Sequence, residues 1–336
     1  MELRQLRYFK AIADARSFVR GADRLCVAQP ALSRSIARLE KEIGQLLFVR
    51  YSAGVTLTDA GVRLYEHASS VLRRVQMLKD TMDAETSTPH GVVALGVPPS
   101  LQSVVTAPVV AAFLKKFSRV TLNVVQNTSA NLRDAVMAGQ IDLAIITTGT
   151  PARALHYSPL LTECMCLIER TDASPGSRES IEVADLIGMP LLLCGYPNTV
   201  RLILESAFAN LHAEPDFRCE VNTSSLLIDL VNEGAGAGIA PSCAVAGRKL
   251  SNLKCSPING LEFSWVMAAS YERIGSASVT QLSKMISHHV WESINKGDWP
   301  TARFDGTLQP AARGSTDAIV FADVGNKDRV EGLSQT

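Results

Sequence analysis

Four polar side chains in one short stretch are the chemically informative ones: Gln29, Ser33, Arg34 and Arg38. They recur at helical spacing, so they share the outer face of a helix whose inner positions are Leu32, Ile36, Leu39 and Ile43. Amide, hydroxyl and guanidinium groups displayed together suit hydrogen bonding to base edges and phosphates. Other candidate groups fail on spacing. His288 and His289 are adjacent and point about 100° apart on a helix, so they cannot chelate as an i, i+4 pair. Gly234, Gly236 and Gly238 lack the G-x-G-x-x-G spacing, and they follow a helix and precede a strand, the reverse of a phosphate cradle. Seven cysteines are scattered through apolar surroundings, and the Cys164-x-Cys166 pair has no second pair or histidine to complete a zinc site. No serine–histidine–aspartate order or acid pair stands out. The sequence predicts no enzyme activity, no metal and no cofactor.

The elements that must carry the polar face follow from periodicity. Leu3, Leu6, Phe9, Ile12 and Ala13 mark a first amphipathic helix over 2–14. Ser17 can cap a second from 18 to 25. After the break Cys26-Val27-Ala28 the third runs from Gln29 to Glu42, with Pro30 in its tolerant first turn and Gly44 at its end. Two short helices joined by a tight turn predict a helix-turn-helix. Residues 46–50 and 55–57 then read as the strands of a wing. Thr58 caps a long helix to about Ala84, where Leu64, Ala68, Val71, Val75, Leu78 and Met82 form a heptad seam. That seam predicts dimerisation; packing against its own chain is the other reading.

Beyond the polar Thr86–His90 hinge, short strands alternate with helices: strands near 91–97, 121–126, 141–146, 160–168, 190–194, 217–221, 236–240 and 262–270, helices near 101–117, 129–138, 199–211, 223–233 and 277–295. This predicts parallel α/β structure in two lobes. From residue 297 periodicity is lost, which predicts a mostly disordered tail. The whole chain has zero formal net charge, yet its first 60 residues carry an excess of about four positive charges. Such asymmetry marks a nucleic-acid-binding end. Charges at Arg4, Arg7, Lys10, Asp14 and Arg16 interrupt any secretory signal, and no apolar run approaches a membrane span. Reduced cysteines in a cytoplasmic protein are expected.

Leu3–Phe9, Ser17-Phe18, the GADRL stretch at 21–25, AQPALSRSIARLEKEIG at 28–44, LFVR at 47–50 and LTDAG at 57–61 together resemble the DNA-binding domain of LysR-type transcriptional regulators. GVVALGV at 91–97, GQIDLAI at 139–145 and LVNEGAGAGIAPS at 230–242 resemble that family's effector-binding domain. The resemblance implies a winged helix-turn-helix over 1–58, a dimerising linker helix and hinge over 59–90, and a two-lobed α/β effector domain over 91–296, of the periplasmic-binding-protein type. Lobe I would take 91–161 and 267–296, lobe II 162–266, leaving 297–336 as tail. Two departures stand out. Ala28 replaces a common serine able to cap the recognition helix, and Gly21 replaces a common alanine, weakening the second helix.

Position then assigns roles. Gln29 and Pro30 open the recognition helix; Gln29 suits an adenine edge, Arg34 the N7 and O6 of guanine, and Ser33 a phosphate or base. Arg38 suits phosphate, and Arg50 leads into the wing toward backbone or minor groove; the competing reading of all these residues is the solvated face of a three-helix bundle, and it weighs most for Arg38, because a helical arginine is usually surface. On the effector side the resemblance points to three helix starts: Ser100; Thr128 and Ser129; Asn198, Thr199 and Arg201. Hydroxyls and amides there suit a carboxylate, and Arg201 adds charge if it faces the cleft; ordinary helix capping is the alternative. The implied partners are double-stranded DNA at a partly palindromic site, a second copy as dimer or tetramer, a small-molecule effector such as an organic acid or aromatic metabolite, and RNA polymerase. A DNA-binding protein without a ligand, and a solute-binding protein, are the competing readings.

Overall fold

The computed structural model describes the chain except for residues 52–53, 83–88, 149–151, 173–178, 249–251, 300 and 307–336. It divides into two compact units, one of residues 1–87 with 138–140, the other of residues 88–137 and 141–336.

The first unit contains helices α1 (Leu3–Ala15), α2 (Phe18–Arg24) and α3 (Gln29–Ile43), the hairpin β1 (Phe48–Tyr51) and β2 (Gly54–Leu57), and the long helix α4 (Asp59–Met82). The predicted caps form. Ser17 Oγ accepts from the Arg20 amide at 3.3 Å, Thr58 Oγ1 from the Gly61 amide at 3.0 Å, and Gly44 ends α3 at φ +77°. Ala28 offers α3 no side-chain cap. Phe9, Ile12, Leu32, Ile36, Leu39, Leu47 and Phe48 fill one core beneath the polar face of α3. Gly21 sits at a close approach of α1 and α2: a Cβ there would lie 3.0 Å from Ile12 Cα, so an alanine would need the two helices to give by a few tenths of an ångström. The seam of α4 is divided. Leu64 and Ala68 pack into this core, whereas Val71 is 40% and Leu78 68% exposed. Met82 and the segment 83–88, with most of the expected hinge, give no described side chains.

The second unit is built on a mixed sheet of order β4-β3-β5-β10-β6-β9-β7-β8. Its strands are β3 (Gly91–Val97), β4 (Val120–Gln126), β5 (Leu143–Thr147), β6 (Leu155–Arg170), β7 (Pro190–Cys194), β8 (Asp216–Val221), β9 (Ala237–Pro241) and β10 (Leu253–Ser270), with β11 (Ala302–Phe304) added against β6. Helices α5 (Ala107–Lys116), α6 (Ser129–Met137), α7 (Thr199–Asn210), α8 (Ser224–Asn232) and α9 (Ala277–Asn295) flank it. Strands β3, β4 and β5 are mutually parallel, as are β7, β8 and β9. The two parallel sets are the cores of two lobes. The long antiparallel pair β6–β10 runs through both: β10 meets β5 at Trp265–Ala269, and β6 meets β9 at Met165–Ile168.

Three expectations need correction. The helix predicted over 101–117 starts at Ala107, after a 3-10 turn and a wide turn closed by the Ala107 amide on the Gln102 carbonyl. Pro108 has no N–H for the Val104 carbonyl, and His289 Nε2 takes that oxygen instead at 2.7 Å. Strands β6 and β10 are about twice the predicted length. Order also does not stop at 296: Trp299 is fully buried and Ala302–Phe304 forms a strand. One indole supplies more burial than the surrounding aperiodic pattern reveals. Within the tail, residues 318–322 are apolar in sequence and fall outside the described residues. Among the described residues no helix is long and apolar enough to cross a membrane.

Candidate DNA-reading face and effector cleft

The DNA-facing candidates lie where the sequence placed them. Gln29, Pro30, Arg34 and Arg38 are exposed and Ser33 is half-buried, all on the face of α3 opposite Leu32, Ile36 and Leu39. Gln29 Nε2 donates to Ser33 Oγ at 2.9 Å, so the first turn presents an ordered amide–hydroxyl pair. Arg34 and Arg38 form no ion pair with any described residue, which leaves both guanidinium groups available to an external anion. Arg50 is exposed on the wing and stacks at 4.4 Å over the Phe18 ring. This cation–π contact holds Arg50 near the start of α2. The wing sits close to the helices because Gly54, at φ +143°, lets the Val55 amide donate to the Arg16 carbonyl at 3.1 Å. A Cβ on Gly54 would come within 2.7 Å of that oxygen.

In the second unit a cavity of about 360 Å³ opens where the parallel strands of both lobes end. Carboxyl ends of parallel strands are the usual ligand position in α/β sheets. Ser100, Thr128, Ser129, Asn198 and Thr199 all line it. Their local roles differ. Asn198 Oδ1 caps α7 by accepting from the Val200 amide at 2.9 Å, the ordinary structural role. Thr128 Oγ1 accepts from the Asn131 amide at 3.4 Å. Ser129 Oγ accepts from the Thr147 amide at 3.0 Å, and Thr147 Oγ1 shares a 2.9 Å hydrogen bond with Thr199 Oγ1. Thr147 ends β5 in one lobe and Thr199 opens α7 in the other, so this chain of contacts bridges the cleft.

Arg201 does not reach the cavity, and its expected effector role is withdrawn. Its side chain is 9% exposed and pairs with Glu205 at 2.5 Å and Glu220 at 2.8 Å, with the guanidinium 3.6 Å from the Phe217 ring centre. Two carboxylates and an aromatic face outbid the cleft for that charge.

Several lining residues escaped sequence reasoning. Asn222, Thr223 and Ser224 open α8 just as 127–129 open α6; the same strand-then-hydroxyl-then-helix pattern could have marked them. Phe263 and Trp265 form an aromatic floor, edge to face at 5.3 Å, but in sequence they look like ordinary strand core. None of the described lining residues carries a charge. The positive potential in the cleft therefore comes from the N-termini of α6, α7 and α8, each worth roughly half a positive charge. Such a site suits one carboxylate attached to an apolar or planar body. Cys194 also lines it; burial pushes its thiol up to about 11. All seven cysteines are free, three of them buried and Cys26 exposed. Among the described residues no cluster could hold a metal ion.

Comparison with known proteins adds an independent line. Residues 3–62 match the family model described as bacterial regulatory helix-turn-helix protein, lysR family, and residues 86–290 match the LysR substrate binding domain. Trp299 and β11 lie beyond the matched region. The chain is 31% identical to the nitrogen assimilation regulatory protein nac of Klebsiella aerogenes over 73% of this chain and 79% of that one. Its fold superposes on a full-length OxyR variant from Pseudomonas aeruginosa with TM-score 0.67 and 22% identity, covering 92% of this chain and 99% of the other. It superposes likewise on full-length CbnR in complex with its target DNA, with TM-score 0.64 and 22% identity over 86% of this chain and 100% of that one.

Proposed function

Because the chain belongs to the LysR family of DNA-binding transcriptional regulators, we propose that it reads a partly palindromic promoter site as a dimer and adjusts that reading when a small organic acid enters the interlobe cleft. On the DNA side Gln29 and Arg34 contact base edges, Ser33 a base or phosphate, and Arg38 and Arg50 phosphates, while Pro30 sets the entry of α3 into the major groove. Dimerisation uses the exposed stretch of α4 around Val71 and Leu78, apolar surface that a partner helix would bury. Pairing of dimers into a tetramer, contact with RNA polymerase and a cytoplasmic location belong to the same reading.

The effector half rests on one observation. Three helix N-termini from both lobes converge on a single uncharged cavity of about 360 Å³ floored by Phe263 and Trp265. This volume lies in the range of small-molecule sites. Closing the lobes around a carboxylate would replace or reinforce the Thr147–Thr199 bridge and change the angle between them.

The test is thermal unfolding of the full chain against aliphatic and aromatic carboxylates (acetate, succinate, benzoate and their homologues), with Ser129→Ala and Thr199→Val as controls. A ligand that binds only the folded state raises the melting temperature by mass action, about 2.7 kcal/mol at a hundredfold excess over Kd. A saturable rise in the parent protein, reduced in both controls, supports the cleft reading. A melting temperature that no acid moves favours a regulator without a small-molecule ligand.

A further inference from the structure

Glu163 lies on β6 where the two lobes meet, and its side chain is 1% exposed. It forms no ion pair with any described residue. Instead four donors converge on its carboxylate. Ser242 Oγ (2.7 Å), the Cys243 amide (3.0 Å) and Trp299 Nε1 (3.0 Å) donate to Oε2, and Trp265 Nε1 (2.5 Å) donates to Oε1. Trp299 Nε1 also lies 2.9 Å from Ser242 Oγ. Trp265 is the same side chain that floors the cleft. One carboxylate therefore joins the cleft floor, the end of β9 and the C-terminal segment.

That segment is fastened by several independent contacts. Ala302–Phe304 pairs antiparallel with Leu161–Glu163 of β6. The Asp305 and Gly306 amides donate to the Leu160 carbonyl at 3.1 and 3.2 Å. Asp305 accepts from Thr162 Oγ1 at 2.5 Å, and Thr162 in turn shares a 2.7 Å bond with Ser264 on β10. These contacts grip β6 and β10 at the crossover, between the stretch that meets β5 and the stretch that meets β9.

We propose that Glu163 and Trp299 are positioning residues of the effector cleft: through the Trp265 N–H they fix the floor on which a ligand lies, so Trp299 and residues 301–306 form a strap that sets the cleft's shape from behind. The inference rests on the cleft being the effector site. A buried indole N–H needs an acceptor, and here the acceptor is Glu163. Glu163 is itself placed by Trp299 and Ser242. Removing Trp299 lets the carboxylate, and with it Trp265, shift. Glu163→Gln keeps the size, but either orientation of the amide turns its NH₂ toward an indole N–H.

The experiment uses full-length protein labelled with 5-fluorotryptophan, read by fluorine NMR without any ligand. The chain has only three tryptophans, Trp265, Trp291 and Trp299, and single Trp→Phe variants assign their resonances. In Trp299→Phe and in Glu163→Gln the Trp265 resonance is expected to move by more than its linewidth. Trp291, on the outer part of α9 and 39% exposed, should stay in place. A strap that only added stability would lower the melting temperature and leave the Trp265 resonance unmoved. That result in the folded variants overturns the proposal. If Trp299→Phe does not fold, Ser242→Ala removes the hydroxyl shared by Glu163 and Trp299 and is read the same way. The two inferences fail separately. A motionless Trp265 overturns the strap even when carboxylates bind, whereas a panel without any melting shift counts against the cleft while the Trp265 displacement stays readable.

Discussion

Gly61 in the first turn of α4 is the position where one added methyl group should cost the DNA-reading unit most. A Cβ there would sit 2.1 Å from the Leu47 carbonyl oxygen and 3.1 Å from its carbon. Even a weak C–H···O contact needs about 3.3 Å, so helix and strand must separate by about 1 Å. The Leu47 oxygen already accepts from the Thr58 amide at 3.0 Å, Thr58 Oγ1 donates to the Leu46 carbonyl at 2.7 Å, and the Leu47 amide donates to Glu40 at 2.8 Å. Overpacking of this kind costs about 1–3 kcal/mol. One or two loosened hydrogen bonds add about 1 kcal/mol each. Alanine returns up to about 1 kcal/mol in helix propensity. Gly61→Ala should therefore lose on the order of 2–3 kcal/mol. With a urea slope of about 1–2 kcal/mol/M for a unit this size, the midpoint falls by about 1–3 M. All three tryptophans lie in the second unit, so their fluorescence reports that unit alone. Circular dichroism, which also sees α1 to α4, should show an early transition absent from the fluorescence curve. Curves of Gly61→Ala and parent that coincide by both probes would refute the steric argument.

Other consequences can be checked alongside. Trp299→Ala empties a fully buried site and should cost about 3–5 kcal/mol, visible as an earlier fluorescence transition of the second unit. His289→Phe leaves the Val104 carbonyl without its partner and should cost about 1–3 kcal/mol, measured the same way. With its thiol pushed up to about 11, Cys194 is only about one-thousandth thiolate at pH 8. Peptide mapping after brief iodoacetamide treatment should find the exposed Cys26 modified and Cys194 spared, and labelling of Cys194 should rise about tenfold per pH unit up to pH 11. Arg201→Met should leave carboxylate affinity within about threefold of the parent, because its guanidinium is held by Glu205 and Glu220 outside the cavity; loss of binding in a stably folded variant would return Arg201 to the site.

The first unit was legible almost residue by residue, because its signals are local. Ser17, Gly44 and Thr58 announce helix ends, and Leu32, Ile36 and Leu39 fix which face of α3 looks outward. The starts of α6 and α7 are equally readable, and four of the six effector candidates line the cavity from them; a fifth, Ser100, reaches it from a 3-10 turn instead. What stayed hidden depends on partners distant in sequence. The placement of Arg201 on α7 is hidden because Glu220 and Phe217, which hold it, stand on β8. The wide turn at 102–106 needs both the missing N–H of Pro108 and a histidine 185 residues away. Phe263 and Trp265 read as core, because the strand they share runs through both lobes and only the fold shows which end faces the cleft. Trp299 stands alone in an aperiodic stretch, and its partner Glu163 is an acid in the middle of an apolar strand. Neither carries a pattern.

The outer face of α3 is proposed to read base sequence. Selection of bound duplexes from a random library by the full-length protein, beside a Gln29→Ala, Arg34→Ala double variant, tests it most directly. The parent should enrich an inverted repeat whose half-sites lie about one helical turn apart, and the double variant, still folded, should lose that enrichment while keeping salt-dependent affinity for any duplex. No enriched sequence from the parent even at low salt, or the same sequence enriched by both proteins, would contradict it.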